Sequence, residues 1–217
     1  GADLTGASLT GADVTRVNLM GATLSDTDLA GANLTGAVLS DRDLRSVKLT
    51  AANLADSDLR SVNLTGVDLC GVNLTGANLT GTNLAGANLT DTNLSGADLT
   101  HTDLSGANLA GANLAGANLT GANLRQSNFT GMVLTDVKLS GVDLTGSNLA
   151  GADLTEVNLT GATLINVDLS GANLSGANLT DVSLSGANLC NVSVIGADLA
   201  GADLTGASLT GADVTRV

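Results

Sequence analysis

The sequence predicts an all-β solenoid, in which a short segment of chain repeats and stacks along one axis. Three observations support this fold class. Leucine, or a valine or phenylalanine in its place, stands at every fifth position from Leu4 to Val214 without an insertion. All 28 glycines share one phase of that period. The 217 residues contain no proline, tryptophan or tyrosine, so the aromatic core of an ordinary globular domain is missing.

Each position of the five-residue unit has a distinct predicted role. A period of five fits neither a helix nor a simple strand, so we predict one short straight side and one turn per unit. The central leucine and the small residue two positions before it, usually Ala or Val, point inward. Glycine occupies the turn, where its permissive backbone relieves crowding. The Asn or Asp before the leucine and the Thr or Ser after it face water.

The triplet Ala-Asn-Leu recurs at residues 107–109, 112–114 and 117–119. Over its whole length the sequence resembles the pentapeptide repeat family, whose motif is A-(D/N)-L-x-x. The resemblance implies a right-handed quadrilateral β-helix with four pentapeptides in each 20-residue coil. At a β spacing of ~4.8 Å, the chain would form about eleven coils in a rod roughly 50 Å long. Both ends consist of ordinary pentapeptides, so we expect the rod to be uncapped.

The chain is predicted to be a single continuous solenoid over residues 1–217. Residues 1–17 and 201–217 are identical, including the less common choices at Val14 and Val214 and at Arg16 and Arg216. The offset of 200 residues equals ten whole coils of twenty. We therefore interpret residues 1–200 as one tandem unit of a longer array or fibre, and residues 201–217 as a duplicate of its beginning.

Residues twenty positions apart should lie one above another in such a coil. This stacking predicts columns of identical polar side chains, because many outward positions hold asparagine. Stacked asparagines can share amide hydrogen bonds along the axis. The clearest predicted polar ladder consists of Asn33, Asn53, Asn73, Asn93 and Asn113.

One coil carries a dense cluster of charges, and Arg42 stands there at a position that should point inward. Two interpretations remain open. The cluster forms a recognition spot for a lateral contact, or Arg42 sits at a local bulge and turns its guanidinium toward neighbouring aspartates. The candidate lateral-contact residues are Asp41, Arg42, Asp43, Arg45, Lys48, Asp56, Asp58 and Arg60.

The sequence predicts no catalytic, cofactor-binding or metal-binding residues, and we do not expect an enzyme. His101 occupies a turn position and lacks a nucleophile arranged with it. Cys70 and Cys190 lack metal-ligand spacing, and their predicted places are too far apart for a disulfide. Phe129 and Met132 replace inward residues, and we interpret both as core filling.

The net charge of −13 argues against nucleic-acid binding, which needs a basic face. No apolar run approaches the ~20 residues that cross a bilayer, so membrane insertion is not expected. We therefore predict a structural rod whose partners are further copies of itself, end to end or as a continuous array, with lateral contacts between rods. A fibre outside the cell or on its surface is favoured over a cytoplasmic location.

The family resemblance implies a second hypothesis. Some pentapeptide repeat proteins resemble B-DNA in size and negative charge and bind DNA gyrase, and the acidity of this chain is compatible with such a role. Those proteins are typically capped dimers with loops or breaks, whereas this sequence runs without a break. A scaffold that docks another protein at the coil around Arg42 is the third alternative.

Overall fold

The computed structural model describes residues 1–217 as one continuous stack of coils. It contains no α-helix and no strand longer than a single residue. Instead, the residue before each central leucine forms a parallel β-bridge with the residue twenty positions later, as Asn53 does with Asn73. A coil therefore takes twenty residues, and turns separate its four sides. The straight sides are shorter than ordinary strands because the turns occupy much of each pentapeptide.

We number the coils from the first residue, so that coil 3 covers residues 41–60 and coil 7 covers residues 121–140. The four faces are numbered by the first bridge residue that each carries. Face 1 begins with Asp3, face 2 with Ser8, face 3 with Asp13 and face 4 with Asn18. A coil of higher number lies above its neighbour of lower number.

Backbone hydrogen bonds join successive coils along the axis. The Leu54 N–H donates upward to the Asn73 carbonyl at 2.7 Å, and the Asn73 N–H donates downward to the Ala52 carbonyl at 3.2 Å. Each corner is closed by a turn bond, such as that from the Ala77 N–H to the Leu74 carbonyl at 3.0 Å. Every inner coil is thus bonded to the coil above and to the coil below.

The core is a column of leucines with small residues between them. The central positions from Leu24 to Leu189 are buried, including Phe129. Most Thr and Ser residues at the small inward position donate their hydroxyl to a carbonyl of the coil below, as Thr82 does to Leu59 at 2.7 Å, whereas Ser57 donates to Leu54 of its own coil. No buried side-chain polar atom lacks a hydrogen-bond partner.

The third residue of each turn almost always has a positive φ. Gly76, with φ of 65°, represents the glycines at this position, and His101, with φ of 56°, represents the other residue types. Asp and Asn are frequent among the latter because their short polar side chains tolerate this conformation. Only Ser46 and Asp136, among the corner residues that follow a central position, lack a positive φ.

The ladder is interrupted on both sides of Ser46 in coil 3. On face 1 no bridge joins Thr23 to Asp43, and on face 2 no bridge joins Lys48 to Asp68. The turn bond from the Val47 N–H to the Leu44 carbonyl is kept, at 3.0 Å. The chain therefore still turns at this corner, but the coil separates from its neighbour below on one face and from its neighbour above on the next.

Coil 7 has the same arrangement around Asp136. No bridge joins Asn113 to Val133 on face 3, and none joins Lys138 to Asn158 on face 4. The two interruptions lie at diagonally opposite corners of the rod, between faces 1 and 2 in one case and between faces 3 and 4 in the other. Between them the ladder is unbroken.

The first and last coils bury their leucines less completely than the inner ones. Leu4 and Leu9 are half-buried, whereas Leu209 is 38% exposed and Val214 is 53% exposed. The structure contains no helix that could span a membrane.

Candidate functional site

The outer surface is built from a repeated cap in which an Asn or Asp side chain holds its own turn. The Asn73 Oδ1 accepts the backbone N–H of Thr75 at 3.1 Å and its hydroxyl at 2.6 Å. The Asp98 Oδ1 likewise accepts the N–H of Thr100 at 3.0 Å. Such side-chain caps satisfy a backbone donor at the turn that the ladder leaves free. The polar consensus residues therefore do more than face water, which the sequence pattern alone did not indicate.

The predicted asparagine ladder lies on face 3, where its members are stacked. Amide hydrogen bonds run from Asn53 Nδ2 to Asn33 Oδ1 at 3.3 Å and from Asn73 Nδ2 to Asn53 Oδ1 at 2.9 Å. The next bond joins Asn113 Nδ2 to Asn93 Oδ1 at 3.3 Å. No such bond joins Asn93 to Asn73, so the ladder consists of two hydrogen-bonded segments.

The charges of coil 3 are spread over three faces and form no single patch. On face 1 the Arg45 Nη2 lies 2.6 Å from the Asp43 Oδ2. On face 4 the Arg60 Nη2 lies 2.6 Å from the Asp58 Oδ2. Both pairs form within one pentapeptide, so each arginine neutralises the aspartate two residues before it. Exposed pairs of this kind contribute little to stability, because solvent screens the attraction.

The remaining members of the cluster point in other directions. Lys48 lies on face 2 and contacts Asp28 of the coil below, with Nζ 3.4 Å from Oδ2. Asp41 and Asp56 are exposed at two different corners. The proposed lateral-contact residues therefore form a belt around three sides of coil 3, which a flat partner would meet only in part.

The Arg42 side chain lies between coils 2 and 3 and contacts backbone carbonyls of coil 2. Its Nε donates to the Ser40 carbonyl at 3.2 Å, and its Nη1 lies 3.5 Å from the Ala22 carbonyl. In the regular ladder the Ala22 carbonyl would accept the N–H of Asp43, and that bond is absent. The guanidinium turns to backbone carbonyls and not to the neighbouring aspartates, and it lies where the ladder opens.

Grooves mark both interruptions of the ladder. The larger, of about 370 Å³, lies between coils 6 and 7 on face 3 and is lined in part by Leu114, Met132 and Val133. Smaller grooves of about 250 and 260 Å³ flank Ser46 in coil 3. Val133 is 66% exposed at the rim of the larger groove, so an apolar side chain stands beside an opening in the backbone ladder.

The other residues singled out in the sequence form no common site. His101 is exposed at a corner, where its imidazole lies under the α-carbon of Gly121. Phe129 and Met132 are buried in the core. Cys70 and Cys190 are free thiols on face 2 and lie six coils apart. No group of three or more His, Cys, Asp or Glu side chains is arranged to hold a metal ion.

The capping hydrogen bonds lower the pKa of several aspartates. The Thr100 hydroxyl donates to the Asp98 carboxylate and lowers its pKa. Arg60 lowers the pKa of Asp58, mainly through the hydrogen bonds of its guanidinium. The aspartates with a lowered pKa are Asp3, Asp13, Asp28, Asp43, Asp58, Asp98, Asp143, Asp203 and Asp213.

These pKa shifts predict that acid destabilises the rod. A carboxyl whose pKa is lower in the folded state stabilises the fold above its unfolded pKa of about 3.9 and loses that contribution as the pH falls through its folded pKa. We expect the free energy of unfolding to be nearly constant above about pH 5 and to decrease below about pH 4. Urea titrations at pH values above and below this range measure the free energy of unfolding. The variant Asp98→Asn, which keeps the capping oxygen, should show a shallower decrease, and a stability that rises on acidification would contradict the prediction.

Comparisons with known proteins identify the family to which this architecture belongs. The family model described as pentapeptide repeats (8 copies) matches residues 2–41, 37–76, 73–111, 92–131, 112–151, 143–181 and 183–217. The matches therefore cover nearly the whole chain. The family is generally a non-enzymatic structural fold. A search of curated protein sequences found no significant match.

Two solved structures illustrate the likeness. HetL, a pentapeptide repeat protein involved in the regulation of heterocyst differentiation in the cyanobacterium Nostoc sp. strain PCC 7120, is 31% identical, with a TM-score of 0.63. The alignment covers 99% of this chain and 89% of HetL. A trypsin-treated variant of QnrB1, a plasmid-mediated fluoroquinolone resistance protein, is 19% identical, with a TM-score of 0.58. That alignment covers 98% of this chain and 91% of QnrB1 and shows a shared fold.

The likeness to these proteins indicates that the chain forms a right-handed β-helix. The five-residue period of the sequence agrees with the matched family of pentapeptide repeats. The chain belongs to the pentapeptide repeat family.

Proposed function

We propose that the chain is the body of a rigid β-solenoid rod that continues along its own axis as a filament, sheath or stalk. The observation that carries this proposal is the identity of residues 1–17 and 201–217. Because residue i lies beneath residue i+20, an offset of 200 residues returns the chain to the same face after ten coils. A unit of this length would repeat every ~48 Å with all four faces aligned.

The end coils offer the contacts that such a continuation needs. The Leu4 N–H donates to the Thr23 carbonyl at 2.9 Å, whereas the identical position in coil 11, Leu204, has no acceptor above its N–H. The second coil of a following unit would supply that acceptor. It would also cover Leu209 and Val214, which are exposed here.

The proposed role of the rod is mechanical support, which depends on its stiffness along the axis. The backbone hydrogen bonds between coils run along the axis. Stretching the rod would therefore have to break several of them at the same time. Each buried leucine adds roughly 1.5–3 kcal/mol of hydrophobic stabilisation. Neighbour-to-neighbour stacking makes stability grow with the number of coils, as in other solenoids.

Electron microscopy of the native material and of the purified chain tests the proposal. We expect unbranched filaments, with an axial repeat near ~48 Å in the native material. The variant Leu209→Lys should shorten filaments of the purified chain, because it places a charge on the end surface. Thr65→Lys, on the side of the rod, is the matched control and should leave filament length unchanged. Separate rods about 50 Å long at every concentration would contradict the proposal.

A second candidate is a scaffold that docks another protein. It is favoured by the 31% identity to HetL over 99% of the chain, since HetL is described as taking part in regulation. The net charge of −13 is also compatible with an acidic mimic of DNA that binds DNA gyrase. Inhibition of gyrase supercoiling by discrete rods would support the DNA mimic. Filaments that leave gyrase activity unchanged would exclude gyrase as the partner.

A further inference from the structure

We infer that coils 3 and 7 are two hinges built into the rod, at which it bends and opens before the other inner coils do. Each of these coils lacks one bridge to the coil below and one bridge to the coil above, whereas all other bridges between residues twenty positions apart are formed. The inference concerns the single rod and does not depend on the proposed filament.

Backbone groups are left without partners at both hinges. In the regular ladder the N–H of each central leucine donates to the coil above, as Leu54 does to Asn73. Four leucine N–H groups beside the hinges have no backbone acceptor, and they belong to Leu24, Leu49, Leu114 and Leu139. Segments with fewer hydrogen bonds to their neighbours open at a smaller cost in free energy. We therefore expect local opening to begin at coils 3 and 7.

The stacking of corner residues gives one cause of the interruptions. Where a corner residue has a side chain, that side chain points toward the corner residue of the coil above, which is usually glycine. A Cβ atom on Gly76 would lie 2.5 Å from the Asp56 Oδ1, and one on Gly121 would lie 2.7 Å from the His101 Nδ1. Two side chains stacked at one corner therefore crowd each other.

Both hinges contain such a stacked pair of side chains. At the first hinge Ser46 lies above Asp26. At the second hinge Glu156 lies above Asp136. One member of each pair, Ser46 or Asp136, has left the positive φ of the other corners. The Ser46 hydroxyl then accepts the Asp26 N–H at 3.0 Å, in place of the Arg45 carbonyl that the regular ladder would offer.

A stacked pair alone does not open the ladder. Ser61 lies above Asp41 at another corner, where both residues keep a positive φ and the bridges on either side of the pair are formed. The inward residues of those two pentapeptides are small, whereas Arg42 and Met132 are bulky at the hinges. A hinge therefore combines crowding at the corner with a large side chain at the inward position.

The positions of the hinges determine how the rod bends. They lie at diagonally opposite corners, so that opening one bends the rod in the direction opposite to opening the other. Coils 4 to 6 lie between the hinges, and their ladder is unbroken. The rod then consists of three stiff blocks that are joined at coils 3 and 7.

The native cysteines allow the bending at coil 7 to be measured. Cys70 in coil 4 and Cys190 in coil 10 are free thiols on face 2, one on each side of this hinge and ~29 Å apart. Pulsed electron paramagnetic resonance on the spin-labelled single chain gives the distribution of the distance between them. We expect a broad distribution for the wild type. The double variant Met132→Ala and Asp136→Gly restores the common residues of the repeat and should narrow it.

The matched control is the double variant Arg42→Ala and Ser46→Gly, which restores the same residues at coil 3. Coil 3 lies below both labels, so this variant should leave the distance distribution unchanged. Its effect is expected in hydrogen exchange instead. The Leu44 and Lys48 amides are bonded to neighbouring coils, and their protection factors should rise by about tenfold or more once the bridges beside them form.

Both measurements can contradict the inference. A wild-type distance distribution as narrow as that of the coil 7 variant would overturn it, as would a coil 3 variant that narrows the distribution equally. The wild-type Leu44 and Lys48 amides should also exchange faster than Leu84 and Asn88, which occupy the same positions in coil 5. Equal protection at the two coils would show that coil 3 is no easier to open than a regular coil.

Discussion

Replacing Leu94 by alanine is expected to lower the free energy of unfolding by about 2–5 kcal/mol, the usual cost of deleting a fully buried leucine side chain. Leu94 is completely buried in the leucine column of coil 5, with regular coils above and below it. Because each coil is bonded to both neighbours, the cavity cannot close by movement of a single loop. Urea denaturation followed by far-ultraviolet circular dichroism measures the change.

The matched control is Leu4→Ala, which removes the same atoms from the first coil. Leu4 is only half-buried in this structure, so we expect a cost clearly smaller than that of the central variant. Equal effects at the two positions would contradict a core whose stability depends on stacking from both sides.

Deleting the single residue Thr100 is expected to have a still larger effect. The deletion shifts every later leucine by one position relative to the coil below, so that side chains which point inward would face outward. Alternatively, the later leucines stay over those of the coil below. One side and its turn must then be formed by four residues, where every other side and turn has five. Either outcome breaks the ladder at coils 5 and 6. We expect the single unfolding transition to be lost and the helical stack to divide into two weaker parts.

Deleting residues 81–100 is the corresponding control, because it removes one whole coil. All bridges can then form again between residues twenty positions apart in the shortened chain. We expect a rod that is shorter by ~4.8 Å and still unfolds in one transition. Thermal unfolding and small-angle scattering distinguish the two deletions. A one-residue deletion that is tolerated as well as the twenty-residue deletion would show that the five-residue phase is not essential.

The sequence was sufficient to predict the solenoid because its period is local and repeated. The inward leucines, the corner glycines and the stacked asparagines all follow from the spacing of residues, and the family comparisons confirm the membership that the motif indicated. The right hand of the coil was implied by the family resemblance and not by the spacing, since a period alone does not define a hand. The capping role of residues such as Asn73 was also missed, because a polar residue at a turn looks the same whether it faces water or holds the backbone.

The two interruptions of the ladder were not predicted. Ser46 and Asp136 resemble corner residues such as Ser61 and Asp56, which adopt a positive φ, so residue type does not separate them. The useful signal lies four residues earlier, where Arg42 and Met132 are bulky residues at the small inward position. In both cases the next residue loses its bridge to the coil below. Packing between coils, which spacing along one coil cannot describe, therefore decides where the ladder opens.

The twenty-residue bridge pattern has a consequence for how such a gene changes over time. Unequal recombination that adds or removes whole coils leaves every face with its own residues in line, so the product folds at once and its surfaces are preserved. A gain or loss of one pentapeptide also keeps the core, but it rotates all later side chains by one face and mixes the columns. Selection on a surface such as the asparagine ladder of face 3 would therefore favour length changes in whole coils. The 200-residue offset between the identical segments has this property.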